Sequence, residues 1–222
     1  MTWNQFLTSS IGKKYIMGFT GFFLITFLIV HVGINSSIFL NDNGETFNEL
    51  ARFMSHNWIV RFLELGLFAG LIAHIIQGLF LWRQNAAARP VAYHSRKPEK
   101  NSKWYSRSMG ILGTLILLFL ILHLSHFYVD TKIALYGGDK PHNTYEEMKE
   151  VFQQWWVVAL YILGVMSLFW HLMHGFQSAF QTFGIANKRF EPIIQIAGLG
   201  YSVIVCVLFV LMPLAFFFGW IM

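Results

Sequence analysis

Five long apolar runs alternate with polar segments along the chain, at about 15–40, 58–82, 109–128, 155–183 and 193–220. A membrane-crossing helix takes about 20 mainly apolar residues at about 1.5 Å of rise each, and every run meets that length. Trp58, Trp82, Trp104, Trp155, Trp156 and Trp220 fall at or near the run ends, where amphipathic rings settle at the headgroup level. The pattern predicts an all-α membrane protein, a single domain over 1–222 with five transmembrane helices. The first run is too long, and lacks the small-x-small site, for a cleavable signal peptide. Within the polar segment that follows it, Phe47, Leu50, Ala51 and Met54 recur at helical spacing, predicting a short amphipathic helix on the membrane surface.

Composition agrees with lipid as the solvent. Charged residues make up 12% of the 222 positions and hydrophobic ones 55%, whereas soluble domains carry roughly 25% charge. The formal net charge of +5 reads first as a topology signal rather than as affinity for nucleic acid. Lys13, Lys14, seven basic residues between Arg83 and Arg107, Lys188 and Arg189 lie on one side with only Glu99 and Glu191, a balance of +9. Five basic residues and nine acids on the other side leave −4. The positive-inside rule then predicts a cytoplasmic N-terminus and an outer C-terminus. The single cysteine, Cys206, lies within an apolar run, so no intrachain disulfide forms.

Of the nine histidines, His31, His74, His123, His171 and His174 fall inside the apolar runs, and His126 lies near the outer end of the third. Ionisable groups at such depth are costly and mark function; a lone one is as readily a histidine satisfied by a backbone carbonyl. Depth sorts them. His31 lies 17 residues beyond Lys14 and His123 lies 16 beyond Arg107, so both sit roughly 25 Å from the inner ends. His74 precedes Arg83 by nine residues, placing it in the inner half, where His171 or His174 can meet it. Two stacked histidine pairs, each from two helices, suit two haems with an imidazole on either face. A structural zinc site instead wants four converging ligands, with Cys or carboxylate commonly among them. His74 and His171 both begin H-x-x-x-G, ending at Gly78 and Gly175. Those glycines, with Gly33 and Gly113, offer either porphyrin clearance or plain helix packing.

The sequence resembles the dihaem cytochrome b membrane anchor of succinate:quinone oxidoreductases and quinol:fumarate reductases, of the single-anchor, five-helix type. The resemblance runs through S-S-I-G-K-K at Ser9 to Lys14, F-L-I-V-H-V-G-I-N at Phe27 to Asn35 and G-E-T-F-N-E-L-A-R-F-M at Gly44 to Met54. It continues in L-I-A-H-I-I-Q-G at Leu71 to Gly78, L-H-L-S-H-F at Leu122 to Phe127 and G-V-M-S-L-F-W-H-L-M-H-G-F-Q-S at Gly164 to Ser178. It implies four of these helices bundled around two b haems, with axial ligands His31 and His123 for the outer haem and His74 and His171 for the inner. His126 and His174 are thereby set aside.

The resemblance further implies two partners on the cytoplasmic face, an iron-sulfur subunit and a flavoprotein that oxidises succinate, and a bacterial-type cytoplasmic membrane. This chain has neither a dinucleotide fingerprint nor a cysteine cluster, so succinate chemistry belongs to those partners. The basic Arg83–Arg107 segment is the expected docking surface, or simply a topology anchor that meets anionic lipid. Quinone reacting near the outer pair needs polar groups for proton exchange; the candidates are Asn35, Glu49, His56, Glu64, Tyr128 and Asp130. Some fumarate reductases of this family carry an acid two positions before the fourth ligand. Here that position is Phe169, which favours succinate oxidation with a low-potential quinone such as menaquinone. Rival readings are a fumarate reductase anchor, another dihaem cytochrome b, and a histidine-relay proton or metal transporter. Transporters often show broken helices and inverted repeats, whereas Pro192 and Pro213 leave the four histidine-bearing runs unbroken.

Overall fold

The computed structural model describes residues 8–87, 103–137 and 143–221, with Thr2 and Gln5 ahead of them. Arg89, His94, Arg96, Lys97 and Lys100 of the predicted docking segment, and His142, lie outside the described residues. Helix α1 runs Ser10–Asn35 and continues as a 3-10 turn over Ser36–Leu40; α2 is Glu45–His56, α3 Trp58–Ala87 and α4 Trp104–Arg107. Helix α5, Met109–His123, passes into a π-helical stretch, Leu124–Val129, and then into α6, Asp130–Gly137. Helix α7 is Thr144–Phe152, α8 Trp155–Thr182 and α9 Glu191–Phe217. There is no strand among the described residues.

Local chemistry explains the starts and stops. Ser9 caps α1 by accepting from the Gly12 N–H at 3.0 Å, Asn57 caps α3 by accepting from the Ile59 N–H at 2.9 Å, and Asn143 caps α7 by accepting from the Glu146 N–H at 3.2 Å; each satisfies a donor the helix leaves free. Gly184, at φ +73°, follows the end of α8 in the left-handed region that glycine enters without strain. Pro192 sits in the first turn of α9, where its missing N–H costs nothing.

Five segments, Ser10–Leu40, Trp58–Ala87, Met109–Gly137, Trp155–Thr182 and Glu191–Phe217, are long and apolar enough to span a membrane. They overrun the predicted lipid limits because hydrophobic thickness does not stop a helix; only a cap or a breaker does. Their outward side chains, Phe19, Phe62, Leu65, Ile76 and Ile196 among them, are well exposed, an apolar surface that water would not tolerate and lipid does. Hydroxyls on these spans bond back to the carbonyl one turn earlier, as Thr26, Thr114, Ser167 and Ser202 do at 2.7–3.1 Å, which satisfies them without water.

Helices α1, α3, α5 and α8 form a closed ring, each packing on the next, while α1/α5 and α3/α8 stand on its diagonals; α9 packs outside against α8 and α1. A cap of α2 and α7 covers one end. Phe47 from α2 and Tyr145, Met148 and Phe152 from α7 are buried in one cluster with Val157, Tyr161 and Phe216. Helix α7 is absent from the sequence expectations, although Asn143-x-x-Glu146 followed by Tyr145, Met148 and Phe152 at helical spacing announces it. The predicted surface helix corresponds to α2, with Phe47 inward and Leu50 and Phe53 outward.

Candidate functional site

The diagonals of the ring carry the histidines. His31 on α1 and His123 at the end of α5 bring their rings to 5.7 Å between centroids, with planes crossed at 86°. His74 on α3 and His171 on α8 stand 6.2 Å apart with planes at 67°. The first pair lies nearer the α2/α7 cap and the second nearer the α4 end. His74 faces His171; His126, the alternative to His123, points elsewhere, for it stacks parallel to Tyr161, 6.0 Å between centroids, and shares a 3.2 Å hydrogen bond with its hydroxyl.

Each pair is held by its own surroundings. His31 stacks on Phe27 at 5.2 Å and meets Phe209 of α9 at 5.5 Å. His123 lies between Phe119, 5.7 Å away and nearly parallel, and the edges of Phe127 and Tyr161. Phe119 owes its position to Gly164, since a Cβ there would fall 2.4 Å from the Phe119 ring. Nδ1 of His74 is 3.1 Å from the Thr20 hydroxyl. The amide of Asn35 donates to the His31 carbonyl at 2.8 Å and reaches the His31 Nδ1 only at 3.4 Å. The Nδ1 atoms of His123 and His171 are buried without a hydrogen-bond partner among the described residues.

Glycines face the second pair. An added Cβ would lie 3.5 Å from His74 Cε1 at Gly21 and 3.8 Å from His171 Cε1 at Gly113. Gly21 precedes His31 by ten residues, as Gly113 precedes His123; that repeated interval was the sequence signal for Gly21, which the sequence expectations omit. Beside Gly175 no heavy atom approaches within 4 Å, and beside Gly78 only the Met17 terminal carbon does, at 3.6 Å. Gly33 serves the first pair no such purpose: it is exposed and, two residues from His31, lies about 200° around the helix.

The six polar candidates fall into separate groups. Glu64 on α3 accepts from the Tyr128 hydroxyl at 2.5 Å and pairs with Lys132 at 2.8 Å, tying α3 to the π-helical stretch and α6. Asp130 faces Glu147 of α7; burial foremost, then the charge and hydrogen bond of Asp130 and the charge of Glu150, push the Glu147 carboxyl up to about 8. Asn35 closes α1 beside His31. Glu49 and His56 line a shallow, open depression on α2 with Arg52 and Phe53, and His56 Nδ1 lies 2.9 Å from the Arg52 carbonyl. Lys132 and Tyr161, both drawn into these contacts, were not among the sequence candidates. Among the described residues, no group of three or more His, Cys, Asp or Glu side chains gathers as a metal-ion site. Each histidine pair brings two imidazole rings together, not three or more such groups. The chain matches no protein-family profile, no curated protein and no solved structure.

Proposed function

We propose that this chain is the haem-carrying membrane anchor of a succinate:quinone oxidoreductase, with menaquinone as the quinone. The observation that carries the reading is the pair of crossed histidine diagonals inside one closed ring of four apolar helices. Two imidazoles bound to opposite faces of one iron, each through a metal–nitrogen bond of about 2.1 Å, have ring centres roughly 6 to 6.5 Å apart. The measured 6.2 and 5.7 Å fall at and just below that separation. Among the described residues nothing hydrogen-bonds Nδ1 of His123 or of His171, so no protein group competes for either imidazole through that nitrogen, and Gly21, Gly113 and Gly175 leave the flanks of the second pair free of side chain. A third protein ligand, which zinc would require, is lacking at either pair among the described residues.

His31 and His123 would hold one b haem near the outer face, and His74 and His171 a second near the cytoplasmic face. Bound there, the haems supply reversible one-electron redox chemistry between the iron-sulfur partner and quinone. The chain's own residues do the rest. The aromatic sheath of Phe27, Phe119, Phe127 and Phe209 keeps water from the outer pair and sets its dielectric. Glu64, with Tyr128 and Lys132, is the hydrogen-bonded acid best placed at the outer end of the ring to exchange protons with a quinone. Lys13, Arg83, Lys103 and Arg107 belong to the basic face on which the iron-sulfur subunit docks, with the flavoprotein behind it.

A reduced-minus-oxidised spectrum with a haem-to-polypeptide ratio tests the core of this reading. Two b haems per chain are expected, and a colourless protein made with ample haem refutes it. Replacing His74 or His171 by alanine should remove one haem and leave the other. Neutralising Arg83, Lys103 and Arg107 together should reduce co-purification of the iron-sulfur subunit; undiminished assembly would remove the docking assignment.

A further inference from the structure

The four histidines of the two pairs are not held alike. Among the described residues, His74 alone of the four has a hydroxyl beside its Nδ1, that of Thr20 at 3.1 Å. Thr20 is buried in α1 and its Oγ1 lies 2.7 Å from the Ile16 carbonyl, with the Met17 carbonyl at 3.3 Å. A threonine hydroxyl has one proton. Two acceptor oxygens 2.7 Å apart repel unless a proton lies between them, so that proton is committed to Ile16. The Thr20 oxygen is therefore left as an acceptor, and the group opposite it must be an N–H. His74 accordingly carries its proton on Nδ1, and its only lone pair is on Nε2.

We infer that Thr20 is a positioning residue which fixes the tautomer of His74 and so commits Nε2 as the nitrogen offered to iron. This rests on the dihaem reading above and adds to it an inequality between the two sites. Gly21, adjacent in sequence to Thr20, lets α1 approach the His74 ring closely enough for the bond to form, its Cβ position being 3.5 Å from Cε1. Accepting from the distal N–H of a ligating imidazole raises the basicity of the ligand. That favours ferric over ferrous iron, so Thr20 lowers the midpoint potential of the His74–His171 haem and of that haem alone.

The test is a redox titration of the intact protein in three forms: unaltered, Thr20→Val and Thr20→Ser. The Val side chain keeps the shape and removes the acceptor, whereas Ser keeps the acceptor and the Ile16 bond. Thr20→Val should move one of two haem waves to higher potential, or weaken retention of that haem by about 10- to 100-fold, with the other wave in place. The affected wave should be the one that His74→Ala abolishes. Thr20→Ser should restore the original wave. Two retained haems with unchanged potentials in Thr20→Val overturn the assignment while leaving the dihaem reading intact. So does loss of both haems from both variants, which reports general damage. An unaltered protein without haem overturns the dihaem reading itself, and the role of Thr20 with it.

Discussion

Replacing Gly44 by alanine probes how the α2/α7 cap is fastened over the His31–His123 pair. Gly44 sits at φ +76°, ψ 14°, immediately before α2. A residue with a Cβ pays about 1–2 kcal/mol for that conformation. The new carbon would also fall 2.1, 2.4 and 2.6 Å from three ring carbons of Tyr145. Tyr145 has nowhere to retreat: it is 1% exposed and meets Phe47 at 6.5 Å and Phe216 at 5.3 Å between ring centroids. Forcing extra volume into such packing costs about 1–3 kcal/mol. The two terms together predict a loss of roughly 2–5 kcal/mol. Denaturant unfolding of the detergent-solubilised protein, followed by helical circular dichroism, measures it. In a Tyr145→Ala background the clash is gone and only the conformational part, about 1–2 kcal/mol, should remain. The buried cluster runs on through Phe152 and Tyr161, so Gly44→Ala should disturb the environment of His123 and spare that of His74. A single substitution that costs less than about 1 kcal/mol, or the same cost with and without the Tyr145 ring, refutes this account of the cap.

Two further substitutions have definite signs. Glu147 holds its proton up to about 8 in the folded chain, against about 4.5 for an ordinary glutamate; its contribution to stability is therefore full below about pH 4.5 and is lost as pH rises through 8. Because Glu147 is only partly buried, solvent screening reduces the effect to the order of 1 kcal/mol, and Glu147→Gln should flatten the stability profile between those limits, with parallel profiles counting against the carboxyl pair. At Gly21, alanine should be tolerated because its Cβ meets His74 at an ordinary 3.5 Å, whereas Gly21→Leu drives a branched chain into the ring and, on the proposed dihaem reading, should remove the haem of the His74–His171 pair selectively; a Leu variant with two haems retained would mean α1 does not hold His74 in place.

The sequence carried the spans and the depth of the histidines because both follow from one-dimensional distances: a helix climbs at a fixed rate, so counting residues from a basic anchor measures height. What counting does not supply is azimuth and partner. Gly33 is at the right height for His31 and on the wrong side of the helix; Gly21, ten residues before His31, meets the ring of His74 on another helix, as Gly113 meets that of His171. Thr20 was invisible for the same reason, since a threonine in an apolar run looks like any back-bonded hydroxyl until its neighbour across the ring is known. Helix α7 was legible in principle from its cap and its Tyr145, Met148, Phe152 spacing, yet its dense acids disguised it as a loop. The π-helical stretch after His123, on which His126 meets Tyr161, has no sequence signature.

Helix α3 carries both His74 and Glu64, yet none of its side chains is buried within the protein. Its polar ties sit at its two ends: the Thr20 contact with His74 toward one, and toward the other the Tyr128 and Lys132 bonds to Glu64 and the Arg61 bond to the Ser55 carbonyl at 3.1 Å. With less of its surface buried than any other described span, it is the one whose separation from the ring disrupts the least packed core. It will insert early, because its apolarity suffices for that, and dock last, because docking needs partners that exist only once α1, α5 and α8 are in place. The unfinished protein in the cell is thus expected to differ from the finished one chiefly in this helix, which gives membrane proteases and assembly factors a feature by which to tell the two apart.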